Sequence, residues 1–130
     1  MKKLEVSCAI IVKNDTLLAC QRGPGSEHPY EWEFPGGKVE AAETPEECII
    51  REIWEELQVD IEVLKQLQPI DFDYPRMSIR LIPFLCSITQ GHPTPVEHHT
   101  IRWQRINKFS ELIWSEADKR LFTLNEADIL

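Results

Sequence analysis

Between Glu46 and Glu56 the chain carries five acidic residues interleaved with an apolar stripe, directly after the turn Phe34-Pro35-Gly36-Gly37. On a helix, Glu52, Glu55 and Glu56 fall on one face, within an arc of roughly 100°. Carboxylates held that close repel. Glu52 and Glu56 form a like-charge i, i+4 pair, unfavourable by about a few tenths of a kcal/mol. Arg51 can pair with Glu55 but cannot offset all three acids. A divalent cation removes the conflict, and hard oxygen ligands with no thiolate or imidazole nearby suit Mg2+ or Mn2+. The plain alternative is a solvated acidic face. The adjacent glycines let backbone approach a ligand closely, and a carbonyl at that turn can join a metal's coordination sphere.

A helix must carry these acids, and its start is written in the sequence. Thr44 is a good N-cap, Pro45 suits the first helical position and Glu47 completes a capping box. Nothing breaks a helix from Pro45 to Leu57. Ile49, Ile50, Ile53, Trp54 and Leu57 recur at helical spacing and mark the expected buried face. Ahead of it, Leu4 to Val12 reads as a central strand, Lys13-Asn14-Asp15 as a turn, and Thr16 to Gln21 as a returning strand. Arg22 follows the strand end, placed either to grip a phosphate or as an ordinary surface arginine. Trp32 and Phe34 alternate with Glu31 and Glu33, so one pair faces inward. Downstream, Ile61 to Leu67, Ser78 to Ile88 and Thr100 to Ile106 read as strands, and Asp71 to Tyr74 begins another segment that Pro75 breaks. Pro83 implies an edge position or a bulge. Asn107 to Leu112 reads as a helical turn, and Ser115-Glu116-Ala117-Asp118 as a second capping box opening a C-terminal helix. The adjacent His98 and His99 would point to opposite faces of a strand and cannot chelate one metal together, so they read as structural or surface residues.

A chain of 130 residues with 42% hydrophobic content is enough for one domain with a real core, spanning 1–130. A net charge of -8 argues against a nucleic-acid polymer or an anionic membrane as partner. It leaves room for a phosphate substrate if a metal supplies positive charge. Cys8, Cys20, Cys48 and Cys86 are scattered without a C-x-x-C pair. They read as reduced, mostly buried thiols of a cytoplasmic protein rather than a zinc site. Met1-Lys2-Lys3 resembles the basic start of a signal peptide, but Glu5 and Lys13-Asn14-Asp15 interrupt the apolar run. No run approaches the ~20 apolar residues of a membrane span. A monomer or weak dimer is expected.

The spacing of Gly37, Glu43 and Arg51-Glu52-Ile53-Trp54-Glu55-Glu56-Leu57-Gln58-Val59 resembles the Nudix box, G-x5-E-x7-R-E-U-x-E-E-x-G-U with U aliphatic, over residues 37–59. Every fixed position matches except the last glycine, which is Gln58 here. That position is a helix C-terminal cap in left-handed conformation, where a non-glycine residue costs on the order of 1 kcal/mol. Most of the remaining chain is similar to the MutT-like branch of the Nudix hydrolases: the opening Met1-Lys2-Lys3-Leu4, the run Trp32 to Glu40, Glu43-Thr44-Pro45, Glu97 with Trp103, and Ala117-Asp118. The resemblance implies an α/β class fold, a Nudix-type α/β/α sandwich around a mixed sheet. It implies hydrolysis of a nucleoside triphosphate, a small-molecule partner, to the monophosphate and pyrophosphate with Mg2+ or Mn2+.

Carried over by position, the Gly36 carbonyl, Glu52, Glu55 and Glu56 hold metal, and Glu97 adds a carboxylate from a loop as ligand or base. Arg22 meets the phosphates, while Glu33, Phe34 and Pro35 lie along the nucleotide. Arg51 orients the glutamates and Glu43 braces the helix start. His28 lies one residue from a family histidine, and a family arginine aligns with Met77 beside Arg76, so those contacts are unassigned. Glu52 is the favoured general base and Glu97 its rival. Asp118 either reads the base or only caps its helix. An ionised aspartate accepts hydrogen bonds and never donates, which fits guanine-type edges such as 8-oxo-dGTP, and equally CTP, dCTP or 5-methyl-dCTP. Tyr74-Pro75 sits where branches acting on dinucleoside polyphosphates or ADP-ribose carry a marker, a weak cue. A nucleotide-binding module without turnover is the alternative of another class.

Overall fold

The computed structural model describes residues 3–129. Met1 and Lys2 of the basic opening, and Leu130, lie outside the described residues. The described elements, in order, are β1 (Leu4–Lys13), β2 (Thr16–Gln21), β3 (Trp32–Glu33), β4 (Gly36–Lys38), α1 (Pro45–Leu57), β5 (Asp60–Gln66), β6 (Ile70–Tyr74), β7 (Met77–Gln90), β8 (Thr100–Arg105) and α2 (Glu116–Ile129). A 3-10 segment, Ile106–Glu111, precedes α2 where a helical turn is expected.

β1 is the axis of the sheet. It runs parallel to β7, while β2 and β4 pair with it antiparallel. The β1–β2 turn is tight, with Lys13 opposite Thr16, and Asn14 supplies the left-handed residue (φ 56°) it needs. β3 and β8 extend β2, and β5 and β6 both pair with β7. Side chains of β1 alternate between two cores. Cys8 and Ile10 face one that includes Leu17, Phe34, Trp114, Leu121 and Phe122. Ala9 and Ile11 face the other, with Leu18, Ile49, Ile53, Leu57 and Phe84. A helix therefore covers each face of a mixed, open sheet, α2 on the first and α1 on the second.

Two sequence expectations need correction. Pro83 lies in β7, an interior strand, opposite Cys8 of β1. The strand tolerates it because its partner changes there: Phe84 pairs with Gln66 of β5 and Leu81 with Ile70 of β6. Pro83 thus sits at the junction between two partners. Its carbonyl still accepts the Leu67 N–H at 2.9 Å, so the missing donor leaves no orphaned acceptor in a ladder. On α1, Ile50 and Trp54 are exposed, at 42% and 50%. The packed stripe is Ile49, Ile53 and Leu57, flanked by Cys48 and Glu56. A helix has only one face toward the sheet, and here that face turns Glu56 inward at the expense of two large apolar side chains.

The edge of β1 opposite β7 is shared by two strands. β4 pairs along Val6–Cys8 and β2 pairs at Val12–Lys13. Between them the Ala9 N–H donates to the Pro35 carbonyl at 2.9 Å, so the chain turns away from the sheet at Pro35. The cleft discussed next opens at this divergence.

Candidate active site

α1 begins with the complete capping box: Thr44 Oγ1 accepts the Glu47 N–H at 3.1 Å and Glu47 Oε1 accepts the Thr44 N–H at 2.9 Å. Ser7 of β1 donates to the Pro45 carbonyl at 2.8 Å, tying the helix start to the central strand. At the other end Gln58 adopts the left-handed conformation (φ 60°, ψ 36°) that the family's glycine would take. Its side-chain amide donates to the Trp54 carbonyl at 2.8 Å and recovers part of the conformational cost.

Two glycines bring α1 against β4. A Cβ at Gly36 would meet the Ser7 carbonyl oxygen at 2.0 Å, and a Cβ at Gly37 would meet Glu52 Oε2 at 1.9 Å. The backbone of the turn is therefore in direct contact with the carboxylate side of the helix, which only glycine permits.

The three glutamates are not one uniform face. Arg51 donates to Glu52 at 2.6 Å and to Glu55 at 3.1 Å through one nitrogen, and grips Glu43 with two contacts at 2.7 and 3.1 Å. Arg51 holds the Glu43 carboxyl down to about 2. Glu56 escapes this arginine. It is 6% exposed, receives a backbone hydrogen bond from Gly36, and its Oε2 is buried without a partner. Burial, then the charges of Glu52, Glu97 and Glu33, push its carboxyl up to about 9. Burial also raises Glu52, and Glu55 adds to this against the pull of Arg51. Among the described residues, no group of three or more His, Cys, Asp or Glu side chains is gathered as a metal cage. The donors nonetheless fit a hard cation: all are oxygen, one buried oxygen of Glu56 is stranded, and the acids around it are only partly offset by Arg51 and Arg22. Glu97, on the loop after β7, adds to that charge.

Next to the carboxylates lies a second set of groups. Arg22 Nε donates to Glu33 Oε1 at 2.6 Å, and the His98 ring Nε2 meets Glu33 Oε2 at 2.9 Å. Burial works to raise the Glu33 carboxyl, but the bonds from His98 and Arg22 outweigh it and hold it below its ordinary range. A cleft of about 640 Å³ runs from Arg22 past His28, Tyr74, Arg76 and Met77. A smaller cavity of about 140 Å³ continues inward from Arg22 and Tyr74 to Glu33, Phe34, Gly36, Ile79 and Asp118.

Phe34 is buried, packed at a tilt of 40° against Trp114 with 4.9 Å between ring centroids, and forms part of that cavity's wall. Pro35, expected along the nucleotide, is fully buried and has no surface to offer. It acts on the cavity only by holding the turn. Asp118 is 6% exposed and accepts the Phe34 N–H at 3.2 Å through Oδ1 and the Ser115 hydroxyl through Oδ2. Its backbone N–H donates to Ser115 Oγ at 3.3 Å, while the Ser115 N–H goes to the Trp32 carbonyl. The second capping box is thus only half made, and the Asp118 carboxyl lines the cavity with both oxygens engaged, by the Phe34 N–H and the Ser115 hydroxyl. Burial pushes that carboxyl up to about 7, with the Glu33 charge adding to it. A carboxyl raised this far lies closer to neutrality than an ordinary aspartate, whose ionised form only accepts hydrogen bonds.

Sequence reasoning missed Tyr74, Ile79 and Cys8 as walls of the inner cavity and His98 as a partner of Glu33. None belongs to a local motif. They meet only because the assembled sheet sets β6 and β7, on one side of β1, and the loop after β7 beside the residues of β1 and β3.

The fold is of the α/β class, with the helix carboxylates beside the cleft rather than lining it. The chain belongs to the NUDIX family: the family profile described as NUDIX domain matches residues 1–124. It is 29% identical to the 8-oxo-dGTP diphosphatase of Escherichia coli (strain K12) over 82% of this chain and 83% of that protein. It is 41% identical to the CTP pyrophosphohydrolase of the same organism over 79% of this chain and 76% of the relative. Among solved structures, the E. coli ORF135 protein superposes with a TM-score of 0.85 at 28% identity, covering 98% of this chain and 91% of that one.

Proposed function

We propose that this NUDIX hydrolase cleaves a nucleoside triphosphate to the monophosphate and pyrophosphate with Mg2+ or Mn2+, and that 8-oxo-dGTP is its foremost substrate. Glu56 carries the proposal: a carboxyl buried against the Gly36 backbone with one oxygen unpartnered, amid other acids, is a cation's half of a polyphosphate site. Glu52, Glu55, Glu56, the Gly36 carbonyl and Glu97 would hold the ion. When bound, the ion supplies neutralisation of charge developing on the phosphoryl oxygens and acidity to the attacking water. Glu52 takes the proton from that water, since burial and Glu55 hold its carboxyl above the ordinary range and closer to the working pH. Arg22 faces the outer cleft, where a phosphate would compete with Glu31, 3.5 Å from one of its outer nitrogens, for the guanidinium. The base enters the inner cavity beside Phe34 and ends on Asp118, whose raised carboxyl lines that cavity. Four free, buried cysteines fit work in the reducing cytoplasm.

A second substrate reading, CTP, dCTP or 5-methyl-dCTP, is favoured by the 41% identity to a CTP pyrophosphohydrolase. Pyrophosphate release with Mg2+ across oxidised and unmodified nucleotides separates the two. Glu52→Gln is expected to fold and to lose about 10²- to 10⁴-fold in turnover. Asp118→Ala is expected to flatten base preference. Near-wild-type rates for the first variant remove Glu52 as base, and an unchanged preference in the second removes Asp118 as reader.

A further inference from the structure

Of the four histidines, His98 alone has an enclosed side chain, 6% exposed. Its ring Nε2 stands 2.9 Å from Glu33 Oε2, and the other oxygen of that carboxylate takes the Arg22 Nε at 2.6 Å. Glu33 is held in its ionised form by these two partners, so His98 donates from Nε2. The remaining ring nitrogen, Nδ1, is buried with no partner, a cost that plain packing would avoid with an apolar residue.

The loop that carries His98 is stitched down on both sides of Glu97. The Thr94 N–H donates to the Leu57 carbonyl at 2.9 Å and the Val96 N–H to the Glu56 carbonyl at 3.0 Å, at the end of α1. The His99 N–H donates to the Gln21 carbonyl at 2.9 Å, at the end of β2. Glu97 therefore sits between a backbone anchor on α1 and a side-chain anchor on β3. Val96 and His98 can be at most about 7 Å apart, so fixing both leaves the Glu97 backbone little freedom.

We propose that His98 is a positioning residue: it latches the Glu97 loop to Glu33, and so sets the loop carboxylate and the Arg22 arm relative to each other. The latch rests on the proposed role of Glu97 at the reacting centre. Without it, Glu97 is expected to remain tethered by the Val96 and His99 backbone bonds but to lose its aim.

Pyrophosphate release with Mg2+ is measured for wild type, His98→Ala, Glu97→Gln and the double variant, with His98→Gln as the conservative change. His98→Ala is expected to lower kcat about 10- to 100-fold with little change in KM. His98→Gln, which keeps an amide donor, should recover most of the loss. The double variant should be no slower than Glu97→Gln alone, because a latch has nothing left to aim. Multiplying losses, or an effect on KM alone, overturn the proposal, as does full activity of Glu97→Gln. Hydrogen exchange supplies a reading independent of turnover. The Val96 and His99 amides should exchange about tenfold faster in His98→Ala while α1 amides stay unchanged. Unchanged exchange overturns the latch. A wild type that cleaves no nucleotide sinks the proposed function but leaves this exchange test in force. If His98→Ala does not fold, His98→Asn takes its place, since its shorter amide cannot reach Glu33.

Discussion

Glu56 is the least comfortable residue in the protein. Its carboxyl is pushed from an ordinary 4.5 up to about 9, first by burial and then by neighbouring acids. A group whose folded pKa lies above its unfolded one favours the native state at low pH. That advantage is lost as pH rises through the folded pKa. The metal-free protein is therefore expected to lose stability steadily between about pH 5 and about pH 9. Glu56→Gln should flatten this slope and, without divalent ions, be the more stable protein at the alkaline end. Urea midpoints measured against pH with a chelator present check it, and identical slopes would mean that Glu56 is not the titrating group. A residue tuned this way sacrifices apo stability for a site, which is also why two large apolar side chains on α1 are left in solvent.

At the scale of elements, the start of β4 is packed closely between β1 and α1. The two glycines there have different jobs. A methyl group on Gly37 would meet the far end of the Glu52 side chain, which can move aside. Gly37→Ala should keep its fold and lose activity by displacing Glu52. A methyl group on Gly36 would meet the backbone of Ser7 and Cys8, at 2.0 and 2.7 Å, and a strand cannot give way. Gly36→Ala should therefore cost about 1–3 kcal/mol or more in stability, because overpacking has to be absorbed by the β1–β4 pairing. Chemical denaturation read beside pyrophosphate release distinguishes the two outcomes. The C-terminal end of α1 shows a milder compromise. Gln58 holds a left-handed conformation and offsets part of its cost with its own amide, so losing the family's glycine leaves the helix end in place.

For the whole molecule the dominant quantity is charge, a net -8 with several acids concentrated at one edge of the sheet. Folding gathers that repulsion, and a divalent ion relieves it. A free ion concentration of about a hundred times Kd should stabilise the native state by about 2.7 kcal/mol. For a domain of this size that is a rise in Tm of roughly 8–15 °C. The shift should vanish in Glu56→Gln and reverse on chelation. A thermal scan with and without Mg2+ decides this, and an equal shift in the variant would mean that the ion binds elsewhere.

Local chemistry was legible in the residues. Thr44, Pro45 and Glu47 write the start of α1, alternation writes the strands, and the spacing from Gly37 to Val59 points to the carboxylate helix and the family. These features depend on neighbours in the chain, so short-range patterns suffice to read them. Periodicity could not tell which apolar stripe of α1 meets the sheet, because Ile50 and Ile49 are equally hydrophobic. Pro83 read as an edge or bulge residue because the change of partner from β6 to β5 is not encoded within β7. Asp118 read as ionised because burial by distant segments raises its carboxyl. Tyr74, Ile79 and His98 reach the cleft from three separate parts of the chain. Long-range packing settled each of these, since burial and partnership belong to the assembled sheet and to no single stretch of sequence.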